Sequence, residues 1–413
     1  MINPLCMMGM MHSMELKKKE ALAKNHIIFI ILACCVYIVY AFYLNGFGTN
    51  APVMMAFYSI TSAQQGFIFT MQSIGALLMS VYLALHGERY NKINVFAAGT
   101  LMFTAASLAV GLAPPYILLI VLVMAGGAGY SALDIMLNSM IPELYPNQKN
   151  TLLPIAHAFF GTGAMITPIL ITTLVNPDIP SSFSKPFLLI GAVGAVIFTA
   201  FFIASRRVIP ETPYYDMAAL KNHTSGNQAE IFKTKKAWMF LIAGVMFFSF
   251  QLGIVSWLPS YCREIGLDFA SSGAMLTAFF AGSLVMRFCG PIILKKMTAR
   301  KAYILFGLFS AGAVAAALFT ANHTAMTVWI AIGGFMQGSC VAFLFLMSTG
   351  AFPHRVASAS SLITISVNAG AMTAPLWMGG LAELTGFRAP LLLVCALMVL
   401  SVLLIVRVGE PLA

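Results

Sequence analysis

Two charged side chains stand where charge is costly. Asp134, in GYSALDIMLNSM, and Arg287, in SLVMRFCGPIILKK, lie inside long apolar segments, and Asp134 is the one carboxylate so placed. Ionisable groups at such positions are rare and mark function or a specific partner. A carboxylate at that depth can take up and release a proton as water access changes. Asp134 is therefore read either as a proton-coupling group or as half of a static ion pair, with Arg287 as one possible partner. Arg287 either snorkels from a helix end or uses its planar fork to bind across a helix bundle. Asn138 follows Asp134 by four residues, which puts both on one helical face.

Uncharged polar residues also punctuate the apolar segments. Asn45, Asn50, Gln72, Asn138, His157, Gln251, Gln337 and Asn368 could hydrogen-bond a hydroxylated ligand, and Trp257 and Tyr261 could offer it a ring face. Each could equally be glue between helices. No phosphate-cradling loop, Ser/His/Asp arrangement or HExxH pattern occurs, so an enzyme is not expected. The seven cysteines have no metal spacing and read as packing residues, and neither metal nor cofactor is expected.

These residues must be positioned inside a bilayer. The chain is 60% apolar and 9% charged, and its mean hydropathy is +0.89, which no soluble domain could cover with polar groups. At about 20 apolar residues per crossing, the sequence predicts twelve transmembrane helices, at 27–48, 64–86, 94–112, 115–141, 151–175, 186–205, 237–260, 271–294, 302–321, 326–349, 356–382 and 389–407. Of 23 Lys and Arg, 19 fall in the tails and one set of loops. That asymmetry puts both termini in the cytoplasm, and no removable signal peptide is expected. The net charge of +10 is mostly this topology signal plus attraction to anionic lipid, and calls for no nucleic acid.

The chain also repeats itself. GAMITP at Gly163–Pro168 recurs as GAMTAP at Gly370–Pro375, 207 residues later. The same offset pairs Gly66, Thr70, Gly75, Leu77 and Met79 with Gly273, Thr277, Gly282, Leu284 and Met286, Pro52 with Pro259, and Gly126 and Gly127 with Gly333 and Gly334. Glycines and prolines that recur in register fix close approaches and kinks. The expected division is a six-helix bundle at 1–205, a cytoplasmic linker at 206–236 with a short surface helix near Tyr214–Leu220, and a second bundle at 237–413.

Two six-helix repeats joined by a cytoplasmic link resemble the major facilitator superfamily. HGERYNK adds to the likeness. Glu88, Arg89 and Lys92 are similar to that superfamily's acidic-basic signature between helices two and three, with Asn91 where Gly is usual. The resemblance implies that these three latch one conformation, although they would also serve as a topology anchor. It further implies that helices five and eleven line a central cavity. Leu133-Asp134-x-x-x-Asn138, MRFCG and the Gln251-to-Tyr261 spacing resemble the fucose-galactose-glucose:proton symporter family, with His157 where Gln is common. Helix one departs from that family, since LNGFGTNAP carries no acid before Pro52.

The expectation is a monomeric carrier in a bacterial inner membrane. It would move a small polar, sugar-like solute by alternating access, with a proton or a sodium ion. A drug or metabolite exporter of the same fold, and a membrane sensor that carries nothing, are the alternatives. Asp134 would couple the proton. Arg287 and the ten polar and aromatic residues named above would bind the solute.

Overall fold

The computed structural model describes residues 4–86, 90–145, 149–208, 228–353 and 356–408. Among them the regular structure is helical: α1 (Pro4–Tyr58), α2 (Ser62–His86), α3 (Lys92–Gly111), α4 (Tyr116–Leu144), α5 (Lys149–Leu174), α6 (Ser184–Val208), α7 (Lys235–Glu264), α8 (Phe269–Ile293), α9 (Ala299–Phe319), α10 (His323–Gln337), α11 (Cys340–Ala351), α12 (Val356–Thr385) and α13 (Arg388–Val408). Helices α10 and α11 form a single crossing interrupted at Gly338 and Ser339, so the helices of the described residues make up twelve crossings. Eleven crossings meet the length and apolarity of a membrane span. The twelfth, α12, is 30 residues long but richer in Ser, Thr and Gly.

Local chemistry sets many of the helix starts. Thr61 and Gln64 form a reciprocal capping box at α2, with Thr61 N–H on Gln64 Oε1 (2.9 Å) and Gln64 N–H on Thr61 Oγ1 (3.3 Å). Asn91, Thr234, Asp268, Thr298 and Asn322 cap α3, α7, α8, α9 and α10. Hydrogen bonds from Ser271 hold the exposed Asp268 carboxyl below its ordinary range. The departure at Asn91 thus has a local use, since its side chain accepts from Asn94 N–H.

The two halves are packed alike. In the first, α1 lies on α5 and α6, α4 on α2 and α3, and α3 on α6; in the second, α7 lies on α12 and α13, α10 on α8 and α9, and α9 on α13. Glycines set these approaches in register. A Cβ on Gly75 would collide with the Met124 carbonyl, and one on Gly282 with that of Ala331; Gly127 meets the Gln72 carbonyl as Gly334 meets that of Phe279. Each second pair is the first shifted by 207.

Large apolar side chains such as Leu112, Ile117, Val196 and Phe288 cover the outside, as a lipid-facing surface requires. The first span extends further than 48 because the helix continues through Pro52 to Tyr58; a proline removes one ladder hydrogen bond, and tight packing by neighbouring helices tolerates that. Of the expected linker, 209–227 lie outside the described residues, including the short helix near Tyr214. Its end is docked by Ile231, which is buried against Ala237, Ala359 and Leu362.

Candidate functional site

Between the halves lies a cavity of about 570 Å³. Tyr37, Tyr40 and Asn45 reach it from α1, Asp134 from α4, His157 and Phe160 from α5, Gln251 from α7, and Ser283 and Arg287 from α8. Phe248, Phe280 and Phe345 complete its aromatic wall. On α8 the lining residues Phe280, Ser283, Leu284 and Arg287 follow the i, i+3, i+4, i+7 pattern of a single face.

At Asp134 the cavity wall is a polar cluster. The buried Tyr37 hydroxyl donates to Asp134 Oδ1 at 2.7 Å. Asn138 donates its amide to the Asp134 carbonyl at 2.8 Å, which leaves Asn138 Oδ1 as acceptor for His157 Nε2 at 3.0 Å. The Nε2 nitrogen of His157 therefore carries the proton of this bond. Rings hold the cluster: Tyr37 meets His157 edge-on, and Tyr40 stacks on Tyr130 and packs against Phe160.

Arg287 stands on the other half. It is exposed to the cavity, and among the described residues no carboxylate lies within ion-pairing distance of it. The static pair with Asp134 is therefore not formed in this state. Beside it the tenth crossing is interrupted by a short turn at Gly338 and Ser339. Ser339 donates to the Met286 carbonyl (2.7 Å), and Gln337 to Ser283 Oγ (3.2 Å). A Cβ on Gly338 would collide with the Ser283 carbonyl. The repeat does not extend to the charged residues, since the position equivalent to Asp134 is Val341 and that equivalent to Arg287 is Ser80.

Of the expected binding residues, the cavity collects Asn45, His157, Gln251 and Arg287 together with Asp134, and Asn138 stands one hydrogen bond behind its wall. Asn45 is only 6% exposed and spends its amide on the Ala41 carbonyl. Others are turned elsewhere. Asn50 is buried and donates to the Phe183 carbonyl, Gln72 is buried under Gly127, and Gln337 is tied to Ser283. Trp257 and Tyr261 do not form the aromatic platform. Gln251 and Val255 lie on one turn-spaced face of α7, while Trp257 is rotated off it, packs on Phe69 and Phe387, and donates to the Pro375 carbonyl (3.1 Å). Tyr261 donates to the Leu318 carbonyl. Asn368 is half-buried on α12 beside the lining residue Val367. The latch residues Glu88 and Arg89 lie outside the described residues, and Lys92 is the buried first residue of α3.

Sequence reading missed Tyr37 and Tyr40. The available signal was CCVYIVYAFYLN, whose tyrosines recur every three residues on the first span.

One end of the cavity is sealed where the halves meet, away from the termini. There α2 lies on α12 and α5 on α8. A Cβ on Gly66 would come within 2.6 Å of the Pro375 carbonyl, and one on Gly273 within 2.9 Å of that of Pro168. The repeated glycines thus meet the repeated prolines of the opposite half. Ala63 N–H donates to Glu383 (2.7 Å), Thr70 to the Met372 carbonyl (2.8 Å), and Arg263 to the Pro52 carbonyl (3.2 Å).

Comparison with known proteins agrees with this architecture. The family model of the Major Facilitator Superfamily matches residues 33–324 and 263–412. An uncharacterized transporter, YycB of Bacillus subtilis, is 25% identical over 287 residues, 67% of each chain. Protein TsgA of Salmonella paratyphi B is 25% identical over 226 residues, so the match spans about half the length of that relative and of this chain. Among solved structures, a bacterial homolog of the human lysosomal transporter Spinster, inward-facing and occupied, superposes with a TM-score of 0.75 at 13% identity, covering 93% of this chain and 96% of its own. A D-xylose-proton symporter gives 0.73 at 11%, covering 94% and 98%, and the nucleoside transporter NupG gives 0.71 at 13%, covering 93% and 98%. With the family model spanning both halves and the fold shared along nearly the whole length, the chain belongs to the major facilitator superfamily and is an integral, multi-pass membrane transporter rather than an enzyme.

Proposed function

We propose that the protein carries a small polar solute by alternating access and that Asp134 couples the movement to protons. One observation carries this reading: a solute-sized cavity lies between two pseudo-equivalent halves, sealed at one end, with the span-embedded carboxylate on its wall. Rocking the halves about such a site would break the sealed end and close the other. The distribution of basic residues supports cytoplasmic termini, and with that orientation this state would open inward. The sugar and nucleoside carriers that share the fold favour a hydroxylated solute, and Asn45, Gln251, Ser283 and His157 supply hydrogen bonds for one. Residues 1–205 and 237–413 would be the moving bodies, with Glu88, Arg89 and Lys92 latching them.

Asp134→Asn imitates the protonated carboxyl. In proteoliposomes it should keep solute exchange between equal pools, within about threefold of wild type, while losing accumulation driven by a pH gradient. Accumulation equal to wild type would remove Asp134 from the coupling role. A sodium gradient that drives uptake in place of protons would assign the ion differently.

A second reading, export of an amphipathic metabolite, also rests on an observation. Apolar residues outnumber polar ones around the cavity, with four phenylalanines among them. Competition by apolar cations stronger than by any sugar-like compound would favour it.

A further inference from the structure

The cavity holds two opposite charges that are not paired with each other. Asp134 is already served by the Tyr37 hydroxyl at 2.7 Å. Arg287 faces the cavity with neither a hydrogen bond nor a carboxylate assigned to it among the described residues. It is also the one Lys or Arg among the described residues that line the cavity. A guanidinium presents a planar fork that matches a carboxylate with two parallel hydrogen bonds. Leaving it uncompensated in a closing, low-dielectric cavity is costly.

Resting on the reading of this cavity as the solute site and Asp134 as the proton group, we propose that the solute is a small hydroxylated monocarboxylate, seated with its carboxylate on Arg287 and carried electroneutrally with one proton on Asp134.

Charge balance supplies the argument. Empty and deprotonated, the site holds one negative and one positive group and sums to zero. Fully loaded, the carboxyl of Asp134 is neutral, and the solute anion balances Arg287, which again gives zero. A site with only the proton carries +1, and one with only the anion carries −1. Closing the halves expels water and raises the cost of either net charge. The two species that can reorient are therefore the empty and the fully loaded, which is strict one-to-one coupling. A dianion would leave the loaded site negative, and a neutral sugar with a proton would leave it positive. The other titratable groups facing Asp134 are Tyr37 and Tyr40 from α1, Tyr130 from α4 and His157 from α5. The tyrosines are neutral near pH 7, and His157 is counted as the neutral ring with its proton on Nε2, so none changes the sum. Asn45, Gln251 and Ser283 are placed to take hydroxyls, and the phenylalanines to take the carbon face.

The test is uptake of matched pairs by the reconstituted full-length protein: D-gluconate against sorbitol, and D-glucuronate against D-glucose, under an inward proton gradient with the membrane potential clamped. The expected result is at least a tenfold preference for an acid over its neutral partner, with accumulation insensitive to the imposed potential. Arg287→Gln, checked for folding by its melting temperature, should lose that acid uptake at least tenfold. Equal uptake of a neutral partner, undiminished acid uptake by Arg287→Gln, or accumulation that follows the potential would each overturn the inference. If a neutral sugar accumulates with the proton gradient and Asp134→Asn abolishes it, the anion falls while the carrier reading stands. If no member of the panel crosses, the inference falls for this class of acids. Absence of exchange with every solute tried would remove the carrier reading itself.

Discussion

At the scale of single residues, a fork and a point charge are different objects even when both are cations. Arg287 can present two parallel N–H groups to a carboxylate, whereas lysine offers one compact ammonium on a longer flexible stem. Arg287→Lys should therefore cost at least tenfold in solute transport although the charge is kept and α8 is undisturbed. Transport by Arg287→Lys equal to wild type, measured as initial uptake rate, would reduce the residue to a membrane-interface anchor. The difference between the two cavity walls is also decided here. The 207-residue repeat would set Val341 opposite Asp134 and Ser80 opposite Arg287, so the charged pair is where the halves have ceased to be copies.

Among elements, the informative contacts are those in which one helix backbone touches another. Gly66 on α2 and Gly273 on α8 each face a proline carbonyl of the opposite half, and neither contact leaves room for a branched side chain. Gly66→Val should therefore wedge α2 from α12 and populate the form in which this end is open. Spin labels on the ends of α2 and α12 away from the termini should report a longer distance for Gly66→Val than for wild type. An unchanged distance would show that the helices adjust locally without opening. By contrast, Gly75 and Gly127 are packed within the first half, where a Cβ would meet the Met124 and Gln72 carbonyls. Substitution there should lower thermal stability without shifting the labels.

For the molecule as a whole, alternating access requires that the sealed end open during the cycle. Cysteines at Ala63 and Glu383, whose backbone N–H and carboxylate now lie 2.7 Å apart across the two halves, should cross-link on a cysteine-free background and block uptake. Reduction should restore it. Cross-linking that leaves uptake unaffected would argue that these halves do not separate during transport.

Sequence alone determined the parts of this protein that depend on the solvent and on short-range chemistry. Apolar runs of membrane length needed the bilayer, the spacing of glycines and prolines announced two related halves, and span-embedded Asp134 and Arg287 stood out by their cost. What sequence could not decide was which side of each helix faces the centre. Asn50, Gln72 and Trp257 looked as suitable as Asn45 and Gln251, because a polar residue in an apolar run serves a ligand or a neighbouring helix equally well. Only helix rotation, set by which small residues admit which backbones, turned Gln251 inward and Trp257 onto Pro375. The same packing made a site of Tyr37 and Tyr40, which composition counts as ordinary apolar bulk, by setting one hydroxyl on Asp134 and the other ring on Tyr130. It also left Arg287 facing the cavity with no carboxylate beside it among the described residues, a fact about distances between two halves that no spacing along the chain contains.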